Sequence, residues 1–307
     1  MAPALRVATR GSALARWQAE RVVELLGVDA EIVAVSTRGD ERADTPIHAM
    51  GGTGVFVAEV SRYVLDGHAD IAVHSAKDLP SATEPGLVLA AVPERGDPRD
   101  ALVGASLAGV PTGGRVGTGS VRRRAQLANL RDDLTFGELR GNIPTRLARA
   151  DAFDAVVVAA AALDRLGLAG RIAERLEPAV MLPQVAQGAL AVECRADDAA
   201  TRQRLAAIDD PRARSAVTAE RAYLERLGGG CSLPVGALAR VGDDGTVELE
   251  ALLASLDGRI ALRARSAGRD PEALGVAVAD QILDAQGGRL LLTDLGLANE
   301  APGAAAS

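Results

Sequence analysis

Three stretches of this chain are apolar almost without interruption: DIAVHSA (70–76), DAVVVAAAAL (154–163) and GALAVECR (188–195). A strand with one wet face alternates polar and apolar residues; a strand covered on both faces does not. Runs like these therefore belong inside a sheet that has helices on either side. Shorter patterns lie between them. LRVATR (5–10) reads as a strand, Ser12 as a helix N-cap, and ALARWQAERVVELL as the amphipathic helix that Gly27 ends. EIVAVST (31–37) and LVLAAVPE (87–94) read as further strands, and GGTGVFVAEVSRYVLDG (51–67) as a glycine-rich loop entering a helix. The pattern then restarts, with RVGTGS (115–120) as strand into loop, VRRRAQLANL as helix, LTFGELR (134–140) as strand and PTRLARADA as helix. Repeated strand–helix units predict α/β layers with parallel pairing.

ATRGSALAR (8–16) and GTGSVRRR (117–124) share one plan of strand, Thr, Gly-Ser, helix and arginine. Each places a serine hydroxyl and free backbone N–H groups at the C-terminal edge of a sheet, where α/β folds hold their ligands. Two such halves would face each other across a cleft lined with donors. A length of 307 residues also exceeds one ordinary core, so two or three domains are expected. From about residue 211 the character changes. PRARSAVTAERAYLERLG is a helix, and GALARV, TVELEALLAS and RIALRARSAG, separated by GDDG and LDGR, predict a three-stranded antiparallel meander. A last helix is expected over about 271–286.

The VRRR run stands in a chain of net charge −7 with only 2% aromatic residues. That composition argues against a general nucleic-acid binder, which would be basic and offer stacking rings. The run is better read as a local anion site. MAPALRVATRGSALARWQAERV has no apolar core of a signal peptide, and no apolar run is long enough to span a bilayer. These features predict a cytoplasmic chain with no membrane partner, in which Cys194 and Cys231 are reduced thiols. His48, His68 and His74 show no metal-ligand spacing with the cysteines, so no metal is expected, and His74, inside an apolar strand, reads as a core histidine. GGTGVF lacks the Lys-Ser/Thr of a phosphate loop and VGTGSVR lacks the third glycine of a dinucleotide fingerprint.

Arginines collect at matching edges: Arg10 at a strand end, Arg122 and Arg123 at a helix start, Arg140 at the end of the strand LTFGELR, Arg146 in the next helix and Arg165 in LDRLGL. One of these alone is a solvated side chain. Together they favour a site for several carboxylates or phosphates, which the guanidinium fork binds in bidentate fashion. In HSAKDLPS (74–81), Lys77 and Asp78 follow an apolar strand on a loop where such sheets carry function. On a surface they would be a weak ion pair; in a cleft they would be a carboxylate-binding cation beside a carboxylate able to hold a developing cation. Cys231, after three glycines and before Ser-Leu-Pro, sits in a loop suited to covalent attachment, whereas Cys194 lies inside an apolar strand. A reversible polycarboxylate-binding protein is the alternative, but it needs no thiol at position 231.

These stretches resemble the porphobilinogen deaminase (hydroxymethylbilane synthase) family. The resemblance rests on RVATRGSALARWQAE, VSTRGD, GGTGVFVAE, DIAVHSAKDLPS, ERGDPRDALV, VGTGSVRRRAQL, LRGNIPTRLAR, LDRLGL, LPQVAQGALAVECR and ERAYLERLGGGCSLPVGA. It implies two periplasmic-binding-protein-like α/β lobes around a cleft, 1–93 plus 189–206 and 99–182, and a small α+β third domain, 211–307, with a three-stranded antiparallel sheet. It implies a transferase that condenses four porphobilinogen molecules head to tail into hydroxymethylbilane, with release of ammonia, for porphyrin and heme biosynthesis. It also implies a dipyrromethane cofactor joined by a thioether to Cys231, with Asp78 as the catalytic carboxylate. Arg122, Arg123, Arg146, Ser12, Ser75, Lys77, Thr118, Ser120 and Gln187 would contact the cofactor, and Arg10, Arg140, Arg146 and Arg165 the substrate carboxylates. A monomer that passes its product to the next tetrapyrrole enzyme is implied as well. Two positions depart from the family pattern: many members carry Lys where Thr53 stands, and Gly119 replaces a common serine.

Overall fold

The computed structural model describes residues 4–37, 57–80, 82–229 and 233–295. Strands are numbered in chain order. β1 (Leu5–Arg10), β2 (Ala30–Val35), β3 (Ile71–Ser75), β4 (Leu87–Ala91) and the distant β10 (Leu190–Arg195) form a five-stranded sheet in the order β2-β1-β3-β10-β4. β5 (Asp100–Val103), β6 (Arg115–Gly117), β7 (Thr135–Gly137), β8 (Ala155–Ala159) and β9 (Ile172–Leu176) form a second, in the order β7-β6-β8-β5-β9. The two orders are one plan used twice, as the internal echo predicts.

The pairing is not wholly parallel. β1 runs parallel to β2 and β3, but β10 is antiparallel to both β3 and β4. Likewise β6 is parallel to β7 and β8, and β5 is antiparallel to β8 and β9. The cause lies in how the chain passes between lobes. Leu190, the first residue of β10, pairs with Ser75, the last of β3, and Asp100, the first of β5, pairs with Ala159, the last of β8. Each crossing enters its sheet from the cleft edge, so the entering strand must run against its neighbour. An apolar run reports burial on both faces and says nothing about the direction of the partner.

Helix α1 (Ala13–Leu26) starts where Ser12 Oγ accepts from the Ala15 N–H, and it buries Ala15, Gln18, Ala19 and Val22 on one stripe. Gly27, in the left-handed region at φ 61°, stops it. Helices α2 (Ala58–Leu65), α3 (Val121–Leu130), α4 (Ile143–Ala148) and α5 (Ala160–Arg165) follow their strands in the same way, and Ser120 caps α3 as Ser12 caps α1. The strand expected over LTFGELR is only Thr135–Gly137, so Arg140 lies in the loop beyond it. β5, β9, α6 (Ala199–Leu205) and a C-terminal helix at Gly288–Asp294 have no counterpart in the sequence pattern.

The third domain packs α7 (Pro211–Arg226) and α8 (Pro271–Asp280) on an antiparallel sheet of β11 (Val235–Val241), β12 (Val247–Ala254) and β13 (Ala261–Gly268), followed by α9 (Gly288–Asp294). The expected last helix ends its α-helical part at Asp280 and continues as a π turn, Gln281–Ala285. α8 approaches α7 at Gly275, where a Cβ would lie 2.3 Å from the Ala219 carbonyl oxygen, so no larger residue fits. Buried Tyr223 reaches across to the sheet, its hydroxyl donating to Leu252 C=O at 2.9 Å.

The chain leaves the first lobe through 92–99 and returns through 183–189, and the two segments touch. Gly96 N–H donates to Gly188 C=O at 3.1 Å and Arg95 Nε to Gln187 C=O at 2.9 Å. Gly188 has φ +86°, and a Cβ there would lie 2.6 Å from the Gly96 oxygen, so only glycine allows the contact. Glu220 of α7, fully buried, binds both crossings and the meander. Its oxygens accept from Arg95 at 2.6 and 3.1 Å, from Ala186 N–H at 2.6 Å and from Ala239 N–H at 2.8 Å. Ala186 is held at φ 58°, a conformation that costs an L residue about 1–2 kcal/mol. The charge-assisted bond to Glu220 helps to offset that strain.

Candidate active site

β3 runs straight into a 3₁₀ turn, Ala76–Asp78, that presents Lys77 and Asp78, both half-buried, at the cleft edge. Pro80 follows closely enough to stop the turn from growing into a helix. Ala76 N–H donates to Ala189 C=O at 3.0 Å, and Lys77 Nζ donates to Gln187 Oε1 at 3.5 Å. Gln187, fully buried in the return crossing, donates through Nε2 to Pro98 C=O at 2.8 Å and to Asp100 Oδ1 at 3.0 Å.

Asp100 is the hub of the second lobe's edge. Arg122 Nη1 donates to its Oδ2 at 2.7 Å, and Arg123 donates to its Oδ1 from Nε at 3.0 Å and from Nη2 at 2.8 Å. Arg122 also binds Leu182 C=O and Arg123 binds Val157 C=O. Burial alone would raise the Asp100 carboxyl; the charges of Arg122 and Arg123 outweigh it and hold the group well below the usual carboxylate range. The three consecutive arginines thus do not form one exposed patch. Arg122 and Arg123 turn inward, while Arg124 is exposed over the Phe136 ring, its guanidinium carbon 5.9 Å from the centroid. Helical geometry separates them, because residue 124 lies on another face from residue 122.

Lys77, Arg122, Arg123, Arg140 and Arg146 outnumber Asp78, Asp100 and Glu138, which leaves an excess of positive charge. Arg122 Nε and Nη2 are buried without a protein partner. Burial pushes the Lys77 ammonium down to about 8; Arg123 and Arg146 add to the shift, while Asp78 and Asp100 oppose it. Burial likewise pushes Arg146 down to about 10, with Arg123 and Arg140 adding and Asp78 and Glu138 opposing. Lys77, Asp78, Arg123, Arg140 and Arg146 therefore share one electrostatic neighbourhood. Arg146 Nε is fixed on Gly141 C=O at 2.8 Å, and Arg140 pairs with Glu138 at 2.6 Å.

The remaining expected residues sit around this cluster. Thr118 is buried and accepts from Ser120 N–H at 3.2 Å, within the turn that opens α3. Ser75 is tied to Gln18 of α1, whose Nε2 donates to its hydroxyl at 2.8 Å. Ser12 caps α1, and Arg10 ends β1 half-buried at the same sheet edge. Arg165 is placed differently. It ends α5, donates to Gly188 C=O at 2.6 Å and stacks over Trp17 of α1, 5.5 Å from the ring centroid, so it bridges the lobes at the crossing. Cys231 and Thr53 lie outside the described residues. A Cβ at Gly119 would lie 3.0 Å from Glu138 Oε1 and from Leu139 C=O, so a serine there would need those neighbours to give way. His74 is a buried core residue, with Nε2 3.2 Å from Glu193 Oε2. Cys194 is buried too, and burial pushes its thiol up to about 11. Among the described residues no three His, Cys, Asp or Glu side chains form a group able to hold a metal ion.

The geometry assembles a cationic cleft edge around Asp78, and comparison with known proteins shows the family of the chain. Residues 5–203 match the model described as porphobilinogen deaminase, dipyromethane cofactor binding domain, and residues 215–284 match porphobilinogen deaminase, C-terminal domain. This chain belongs to the porphobilinogen deaminase family. Porphobilinogen deaminase of Roseiflexus sp. (strain RS-1) is 48% identical over 303 residues, covering 95% of this chain and 99% of that protein. The Acidothermus cellulolyticus porphobilinogen deaminase is 48% identical over 301 residues, covering 94% and 91%. Among solved structures, a periplasmic His/Glu/Gln/Arg/opine family-binding protein from Silicibacter pomeroyi covers 66% of this chain and 88% of its own, at 16% identity and TM-score 0.36. The two matching strand orders define the paired lobes. The residues that sequence reasoning passed over are Asp100, Glu220 and Gln18. Asp100 was visible as a charge opening the apolar run DALV, but its partners lie elsewhere in the chain.

Proposed function

We propose that this chain is a hydroxymethylbilane synthase, a transferase that joins four porphobilinogen molecules head to tail and releases one ammonia at each addition. The reading rests on the excess of positive charge at this cleft edge, where Lys77, Arg123, Arg140 and Arg146 gather about Asp78 and Arg122 keeps two buried N–H positions unpartnered. A dipyrromethane group fits that donor set, because its acetate and propionate carboxylates add anions beyond the Asp100 and Glu138 that Arg122, Arg123 and Arg140 already bind. Arg122, Arg123, Arg146 and Lys77 would hold them, with Ser12, Ser75, Thr118, Ser120 and Gln187 near the same edge. When bound through Cys231, the group would supply the free pyrrole carbon to which the first substrate is added, each later substrate joining the ring before it. Arg10, Arg140, Arg146 and Arg165 are the proposed ligands of substrate carboxylates; for Arg165 this means leaving Gly188 or Trp17. Asp78 faces the developing cation. As ammonia leaves the aminomethyl carbon, positive charge spreads to the substrate's pyrrole N–H, and a fixed carboxylate accepts that N–H and stabilises it. Its negative charge also supports the protonated state of Lys77 and Arg146, so one group serves both binding and chemistry.

No described helix is long and apolar enough to cross a membrane. The proposal places the enzyme in the cytoplasm as a monomer that hands its product to the next enzyme of tetrapyrrole synthesis. The division into 1–93 plus 189–206, 99–182 and 211–307 is proposed with it.

Two measurements test this reading. Intact mass of the purified protein is expected to exceed the chain mass by one two-pyrrole adduct, and Cys231→Ala to lack it. A wild-type protein of bare chain mass, able only to bind porphobilinogen reversibly, returns the reading to a polycarboxylate-binding protein. The second concerns pH. Lys77 holds a cofactor carboxylate only as the ammonium, and in the protein without its adduct it loses its proton near pH 8. Loading of adduct-free protein with dipyrromethane, followed by intact mass, is therefore expected to fall off above about pH 8, whereas in the loaded enzyme the bound carboxylate keeps Lys77 protonated. Lys77→Arg should carry loading past that point; an unchanged alkaline limb in that variant removes Lys77 from cofactor binding.

A further inference from the structure

The Asp78 turn is held from two directions. At its start it is tied to the return crossing, through Ala76 N–H to Ala189 C=O, Gln184 Nε2 to Lys77 C=O at 3.3 Å, and Lys77 Nζ to Gln187. Beyond Asp78 the tie comes from another domain. Arg221, on α7, donates from Nη2 to the Pro80 carbonyl at 2.9 Å. Arg221 is half-buried, and burial lowers its pKa although the carboxylates of Glu193 and Glu225 oppose the shift. Glu193 is itself fixed, accepting from Ser61 Oγ at 2.9 Å and lying beside His74 on β3. The guanidinium thus sits in a charged frame built from β3, β10 and α7, with one N–H aimed at the exit of the turn. A turn anchored only at its entry leaves the backbone beyond it free to shift. Anchoring the exit too restrains the backbone that carries Asp78.

We propose that Arg221 is a positioning residue for Asp78, clamping the exit of the turn to the helix from which the chain runs on toward Cys231. The inference rests on the role of Asp78 proposed above. It also accounts for a side chain that none of the expected anion contacts uses. The clamp gives α7 a second duty beside its packing against the meander, since it fixes the catalytic carboxylate relative to the third domain.

The test uses the holoenzyme, with its adduct verified by mass. Arg221→Met keeps the aliphatic length and removes the donor. It is expected to lower kcat about 10-fold or more, with KM within about threefold and the adduct intact, since misplacement of a reacting group acts on turnover first. Arg221→Lys, which restores an N–H donor, is expected to recover most of that loss. Arg221→Gln, too short to reach Pro80, reads the same loss should the methionine variant not fold. In an Asp78→Asn background, Arg221→Met should cost less than about twofold more, because a residue acting only through Asp78 has nothing left to position. Wild-type turnover in folded Arg221→Met, or the full single-mutant loss repeated in the Asp78→Asn background, would overturn the clamp. Wild-type turnover in Asp78→Asn alone would instead overturn the role of Asp78 and leave the contact as packing.

Discussion

Asp78→Asn is expected to leave the fold and the covalent adduct in place while kcat for bilane formation falls by about 100-fold or more, the usual cost of removing one preorganised electrostatic group. The exchange keeps shape and hydrogen-bonding reach but removes the charge. Two effects follow from the cluster around it. The developing cation on the substrate loses the carboxylate that faces it, so turnover drops. Lys77 and Arg146 lose a neighbour that favours their protonated forms, so in adduct-free protein the Lys77 proton is released below pH 8 and the alkaline limb of dipyrromethane loading moves to lower pH. The pair of effects is diagnostic. A merely structural role for Asp78 predicts a lower denaturation midpoint, with turnover per folded molecule unchanged. Steady-state kinetics, with intact mass as the readout of loading across pH, distinguishes the two.

Asp100→Ala is expected to be the most destabilising single substitution at the cleft, by about 3–5 kcal/mol, because it leaves two buried guanidinium groups without their anion. Arg122 and Arg123 both lean on this carboxylate, and Gln187 donates to it as well. The expected readouts are a lower urea midpoint and a purified protein with reduced adduct. Asp100→Asn keeps one acceptor oxygen and should fall between wild type and Asp100→Ala. A pH dependence goes with it. The folded carboxyl is held below its unfolded value, so the unfolded chain takes up the proton first as pH falls. The contribution is complete at neutral pH and is lost on acidification below about pH 4, near the unperturbed carboxyl value. A midpoint in Asp100→Ala within error of wild type would show that the arginines find other anions or water.

Much of the first-order architecture was legible along the chain. The Ser12 and Ser120 caps, the Gly27 stop and the apolar runs of β3, β8 and β10 are local signals, set by hydrogen bonding and burial within a few residues. The meander was legible for the same reason, since GDDG and LDGR mark its turns and alternation marks its strands. β9, with its charged IAERL, was not, because it packs only as an outer strand against β5. β5 escaped notice because four residues beginning with aspartate do not announce a strand until the arginines that neutralise Asp100 are in place.

The chain by itself determined the chemistry on offer. Lys77-Asp78 follows a buried strand, basic side chains recur where strands end and helices begin, and a thiol stands among glycines; adjacency along the backbone suffices to reveal these features. Only tertiary structure decided which charges meet. Strand direction reversed at β5 and β10 because the chain crosses between lobes at the cleft edge, and that crossing brings Gln187 between Lys77 and Asp100, Arg165 onto Trp17, and Arg221 of a third domain onto Pro80. Coulombic and hydrogen-bond energies depend on separation in space, and separation in space between residues a hundred positions apart is a property of the fold.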